Sequence, residues 1–168
     1  MKTPVRAIAF ALLSAASLLA EQPAPVLRLP GAPDRPIDPA ALRGRHQMDV
    51  RLEDAPGNLE IYHGLPLLEV LEKNGYDIRS MAAERKSGAA VVIVTARDGY
   101  AAVFSIGELR MHRRDPRVFL VSEGPDGALP DNEGPVRLIV YGDKIRSPYG
   151  LARVELKVLS ENAGTTRP

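Results

Sequence analysis

Three basic residues towards the C-terminus offer the chain's clearest binding chemistry. Arg137 interrupts the apolar run Val136–Tyr141, and Lys144 and Arg146 follow on the next loop. An unpaired charge inside an apolar strand is costly. Three outlets are open to Arg137: simple alternation into solvent, a carboxylate such as Asp98 or Glu108, or an anion site shared with Lys144 and Arg146. Guanidinium groups match carboxylate and oxyanion geometry well. Other chemistries find less support. The histidines, His46, His63 and His112, are widely spaced and form no H-x-x-x-H or H-E-x-x-H pattern, so zinc binding would need the fold to gather them. There is no cysteine, which excludes thiolate nucleophiles, cysteine-ligated iron–sulfur clusters and any cysteine-to-metal bond. Neither a G-x-S-x-G elbow nor a G-x-x-x-x-G-K phosphate loop occurs. Tyr62, Tyr141 and Tyr149 could line a pocket or pack against the core.

The elements that must position these residues are clearest between Gly88 and Leu109. Two apolar runs, Ala89–Ala96 and Tyr100–Phe104, flank Asp98-Gly99, which predicts a hairpin closed by a two-residue type I′ turn. Ser105 and Glu108 then form a Ser-x-x-Glu capping box, predicting a short helix. Asp115-Pro116 should end it, since the residue before proline resists the α region. His112-Arg113-Arg114 would place cations at its negative end.

Alternation over Gln47–Glu53 predicts a half-buried strand, with Met48, Val50 and Leu52 facing inward and a returning strand over Leu59–Tyr62. Pro66 suits a first helical turn, Leu67, Val70 and Leu71 recur at helical spacing, and Gly75 is placed to stop the helix. Residues 76–87 read as a connecting loop, Arg117–Val121 as a short strand, and Gly124–Gly134 as loop. Ala152, Val154, Leu156 and Val158 alternate with Arg153, Glu155 and Lys157, the clearest strand signal in the chain. Roughly seven strands and two short helices make a single, mostly β, α+β domain.

Residues 1–20 read as a signal peptide: Lys2 and Arg6 precede the apolar run Ala7–Ala20, which is short for a bilayer span. Cleavage is expected after Ala20, with Ser17 and Ala24 as alternatives and an uncleaved anchor as the competing reading. The expected location is periplasmic or secreted, with no stable membrane insertion once the leader is removed. Residues 21–45 hold six prolines between Pro23 and Pro39 and read as an extended linker or loosely docked arm. The domain is expected over 46–160 and a disordered tail over 161–168. Loss of Lys2 and Arg6 takes the formal charge from +1 to −1. A near-neutral chain has no global field for polyanions, which argues against nucleic acid as partner.

In this order, YHGLPLLEVLEKNGY (62–76), TARDGYAAVFSIGEL (95–109) and GPVRLIVYGDK…LARVELKVL (134–159) resemble the molybdopterin-binding domain of the sulfite oxidase superfamily. The resemblance covers about residues 47–159 and implies that family's β-rich α+β fold. It also implies that the Asp98–Tyr100 loop borders the ligand cleft, with Asp98 and Tyr100 giving polar contacts. Family enzymes carry molybdenum on a pterin dithiolene with a protein cysteine as a further ligand. This chain has no cysteine, and the resemblance does not extend to the long N-terminal region that supplies that ligand in the family. The expectation is therefore an exported, non-catalytic accessory module with no catalytic or metal-ligating residues. It would bind a small anion or a protein partner through Asp98, Tyr100, Arg137, Lys144 and Arg146. The alternative is a molybdopterin-dependent oxidoreductase, or a subunit of one.

Overall fold

The computed structural model describes residues 22–43, 47–55, 58–77 and 90–159. The expected leader, His46, most of the 76–87 connection and the expected tail at 161–168 lie outside these residues.

Two sheets share one principal core. In the first, β1 (Val26–Arg28) pairs on one edge with β2 (Arg35–Pro36) and on the other with β10 (Leu151–Val158). β5 (Ala90–Ala96) and β6 (Ala101–Ser105) complete the order β2-β1-β10-β5-β6. The β1–β10 pair is parallel and the other pairs are antiparallel. In the second sheet, β3 (Met48–Ala55), β4 (Asn58–Pro66) and β7 (Val118–Gly124) run antiparallel. β8 (Gly127–Ala128) and β9 (Arg137–Val140) also pair with β7. Helices α1 (Leu67–Lys73) and α2 (Ile106–Met111) follow directly on β4 and β6. Leu27, Val92, Phe104 and Val154 from the first sheet meet Leu120 and Leu138 from the second, with Leu67, Leu71 and Leu109 from the helices. The result is the expected mostly β, α+β domain.

Local chemistry explains much of this. Helix α1 ends in a Schellman arrangement: the Tyr76 N–H donates to Leu71 C=O at 3.0 Å and the Gly75 N–H to Glu72 C=O at 3.1 Å. Gly75 has φ +98°, a conformation that glycine adopts without a Cβ penalty. At the start of α2, Ser105 Oγ accepts from the Glu108 N–H at 2.9 Å. Only half of the capping box forms, because Glu108 turns its carboxylate to Arg146 instead. Helix α2 stops at Met111, before Asp115-Pro116, with His112 as its C-cap.

The Asp98-Gly99 turn differs from expectation in type. Gly99 has φ +88° and no non-glycine residue among the described residues has positive φ. A type I′ turn, which needs positive φ at both central positions, is therefore excluded. Within the Ala96–Tyr100 hydrogen-bonded pair that closes the hairpin, the loop spans three residues, Arg97 to Gly99. The Gly99 N–H donates to Ala96 C=O at 3.1 Å, and the Ala96 N–H to Tyr100 C=O at 2.9 Å. A tight turn closed by a left-handed glycine is the usual three-residue solution.

The proline-rich segment is not a loose arm. Leu27, Leu29, Ile37 and Leu42 join the principal core, and the Ile37 N–H donates to Pro25 C=O at 2.7 Å. Pro36 fits in β2 because that strand is a sheet edge, where a missing donor is tolerated. The inward set of β3 is also smaller than expected: Val50 and Leu52 are buried, whereas Met48 is exposed.

β7 and β9 are covered on both faces, which accounts for their nearly continuous apolar sequence. Leu120, Leu138 and Val140 face the principal core. Phe119, Val121 and Ile139 face a smaller cluster with Val50, Leu52 and Tyr62. By alternation Arg137 falls on the side of the smaller cluster.

Candidate ligand cleft

A cavity of about 590 Å³ opens where α1, α2, the start of β7 and the loop after β9 converge. Its size lies within the range of small-molecule sites. Leu68, Leu109, Val118 and Val140 supply apolar lining. Helical spacing brings Glu69 and Glu72 from α1 to the cleft, and from α2 and its C-cap come Glu108 and His112. Gly142, at φ +77°, turns the chain after β9 so that Asp143 and Arg146 come back to the same wall.

These four carboxylates are paired with three cations. Lys73 Nζ lies 2.9 Å from Glu69, Arg113 Nη2 lies 3.1 Å from Glu72, and Arg146 reaches Glu108 at 3.0 Å and Asp143 at 2.7 Å. The Arg146 guanidinium also stands 5.0 Å from the Phe104 ring centroid. Its hydrogen bond holds the Asp143 carboxyl below the usual carboxylate range, while the two carboxylates raise the pKa of Arg146 further. Two cationic-capable side chains of the lining, Arg117 and His112, have no side-chain partner among the described residues. Arginine is permanently charged and the imidazole can donate a hydrogen bond, so this side of the cleft offers donors to an anion. No serine, threonine, cysteine or lysine lines the cavity.

The site residues expected from sequence are dispersed. Only Arg146 lines the cleft, with exposed Lys144 two positions before it. Asp98 Oδ1 accepts from the Tyr100 N–H at 2.9 Å within its own turn, and neither residue lines the cleft. Arg137 is 4 % exposed, and its Nη1 donates to Glu133 at 2.8 Å and to the Tyr62 hydroxyl at 2.9 Å. Its guanidinium lies between the rings of Tyr62 and Tyr149, at 5.1 and 4.3 Å from their centroids. A carboxylate holds Arg137, as one of the three readings required, but that carboxylate is Glu133. Arg137 does not line the cleft that Arg146 lines. His112 and Arg117 are the residues that sequence reasoning did not select; the excess of arginine over Arg110–Arg117 was their only signal.

Arg97 has a structural task that the sequence did not suggest. Its Nη2 donates to the carbonyls of Gly134 at 2.6 Å and Asp131 at 3.1 Å, tying the hairpin loop to the segment before β9. A second cavity, about 690 Å³, lies between the proline-rich segment and the β7–β8 region.

The residues present do not fit a molybdenum centre held by a protein thiolate, since the chain has no cysteine. Among the described residues no three of His, Cys, Asp and Glu are grouped to hold a metal ion. His63 pairs with Asp49 at 3.1 Å, away from His112 in the cleft. No helix among the described residues is long and apolar enough to cross a membrane. Comparison with protein-family models and with curated proteins gives no match.

Proposed function

We propose that this chain is an exported, non-catalytic binding module on a sulfite-oxidase-like scaffold, and that its cleft holds a small organic anion. One observation carries this reading: every carboxylate of the cleft is already ion-paired, Glu108 and Asp143 sharing Arg146, while Arg117 and His112 remain without a side-chain partner among the described residues beside an apolar lining. The anionic group would meet the Arg117 guanidinium and the His112 imidazole. The apolar part of the ligand would cover Leu68, Leu109, Val118 and Val140. Such a division between a polar anchor and an apolar body is common to small-molecule sites.

Backbone amide chemical-shift mapping with a panel of organic carboxylates, sulfonates and phosphates, beside their neutral amides, tests it. Shifts should cluster on α1, α2 and the loop after β9, for anions only, and Arg117→Ala should weaken binding at least roughly tenfold. Shifts elsewhere, or equal response to the neutral amides, would remove the reading. The runner-up, a molybdopterin-dependent oxidoreductase or a subunit of one, predicts stoichiometric molybdenum in protein purified from a molybdenum-competent host.

A further inference from the structure

We propose that the rim of this cleft is a docking face for an anionic membrane surface. The proposal stands on the side chains around the mouth, whatever fills the cavity. Met111 at the end of α2 and Ile145 on the loop after β9 are each 80 % exposed, more than any other large apolar residue described. Tyr141, on the lining of the same cleft, is 55 % exposed. Single exposed apolar residues are ordinary on protein surfaces. These are connected: Arg146, next to Ile145, is ion-paired to Glu108, one helical turn before Met111. One ion pair thus sets both aliphatic tips on the same rim.

The charge around them is complementary to anionic lipid. Arg110–Arg117 contains four arginines, with Asp115 as its only carboxylate. Arg113 is engaged by Glu72; Arg110, Arg114 and Arg117 are exposed and have no ion-pair partner among the described residues. Lys144, also exposed, lies beside Ile145. Protruding aliphatic tips in a basic field suit a deformable layer, into which they dip while the arginines meet headgroups. A protein partner would need a matching cup for each tip. Tyrosine favours the same boundary, with an apolar ring and a wet hydroxyl.

Co-sedimentation of the full chain with vesicles of phosphatidylcholine alone, and of phosphatidylcholine mixed with phosphatidylglycerol, tests the proposal. Affinity for the mixed vesicles should exceed that for the neutral ones and fall with added salt. The pair Arg110→Glu and Arg114→Glu should lower it by roughly fivefold or more per arginine. The pair Met111→Asp and Ile145→Asp should lower it by roughly tenfold. Binding through the apolar run Ala7–Ala20 would be the same in every variant. The chain has no tryptophan, so Ile145→Trp gives a lone reporter whose emission should shift to the blue on mixed vesicles. Equal partitioning to both vesicle types, vesicle affinity unchanged by both pairs, or an unshifted Trp emission would overturn the proposal. So would binding of an acidic protein at this rim by a chain that ignores mixed vesicles.

Discussion

Arg137 Nη1 donates to the Tyr62 hydroxyl at 2.9 Å, across a separation of 75 residues, and the same nitrogen reaches Glu133 at 2.8 Å. The Tyr62 hydroxyl in turn donates to Glu60 Oε2 at 2.8 Å. A four-member polar chain therefore crosses the small cluster behind the second sheet. The Arg137 Nε is buried without a hydrogen-bond partner among the described residues, so the network is held by one side of the guanidinium.

Removing one member of such a network leaves a buried charge uncompensated. Arg137→Met should destabilise the domain by about 3 kcal/mol in urea unfolding. Adding Glu133→Gln should restore at least about 1 kcal/mol, because the stranded carboxylate is then gone. Strict additivity of the two substitutions would contradict the pairing.

Burial, and next the hydrogen bond to Glu60, push the Tyr62 phenol up to about 12, against a smaller opposing effect of Arg137. A phenol whose pKa is raised by folding holds its proton more tightly in the native state. Its contribution is complete below the unfolded value near 10 and is lost as pH rises from about 10 to about 12. Burial raises Tyr76 as well, so absorbance titration should show a late-ionising fraction, and Tyr62→Phe should remove one tyrosine's share of it.

At the cleft, the Arg146 hydrogen bond is the main reason that the Asp143 carboxyl titrates low. The stabilisation linked to it is present above the ordinary carboxylate range and fades as pH falls through the depressed value. In Arg146→Ala the Asp143 midpoint, followed by carbon-detected NMR, should move up. A midpoint that stays in place would mean that the ion pair is not populated in solution.

Gly64 lies at a register shift between β4 and β7. A Cβ there would run into the Leu120 carbonyl oxygen and stand 2.6 Å from the Cα of Val121. Backbone on both sides leaves no room to yield. Gly64→Ala should cost at least about 2 kcal/mol, measured by thermal or urea unfolding. Gly107→Ala, where the added atom meets nothing nearer than 3.7 Å, should not.

The elements were legible wherever the signal is local. The β10 alternation put Val154 and Leu156 in the core, Gly75 stopped α1, and Ser105 capped α2. Each depends on chemistry among residues at most a few positions apart. The same logic failed where a second, distant partner competed. Glu108 has the spacing of a capping box, yet Arg146, 38 residues on, takes its carboxylate. Proline density suggested a loose arm, yet Leu27 and Ile37 found a core to enter.

By itself, the sequence determined the mostly β character, the hairpin with the capped helix after it, and the absence of thiol chemistry. Only the tertiary structure decided that Arg137 is a buried network member and that His112 and Arg117 share a cleft with Arg146. Turns, caps and strand alternation are settled by neighbours along the chain. The cleft is assembled from segments around 66–72, 108–118 and 140–146, and which charges meet there depends on how both sheets close over one core.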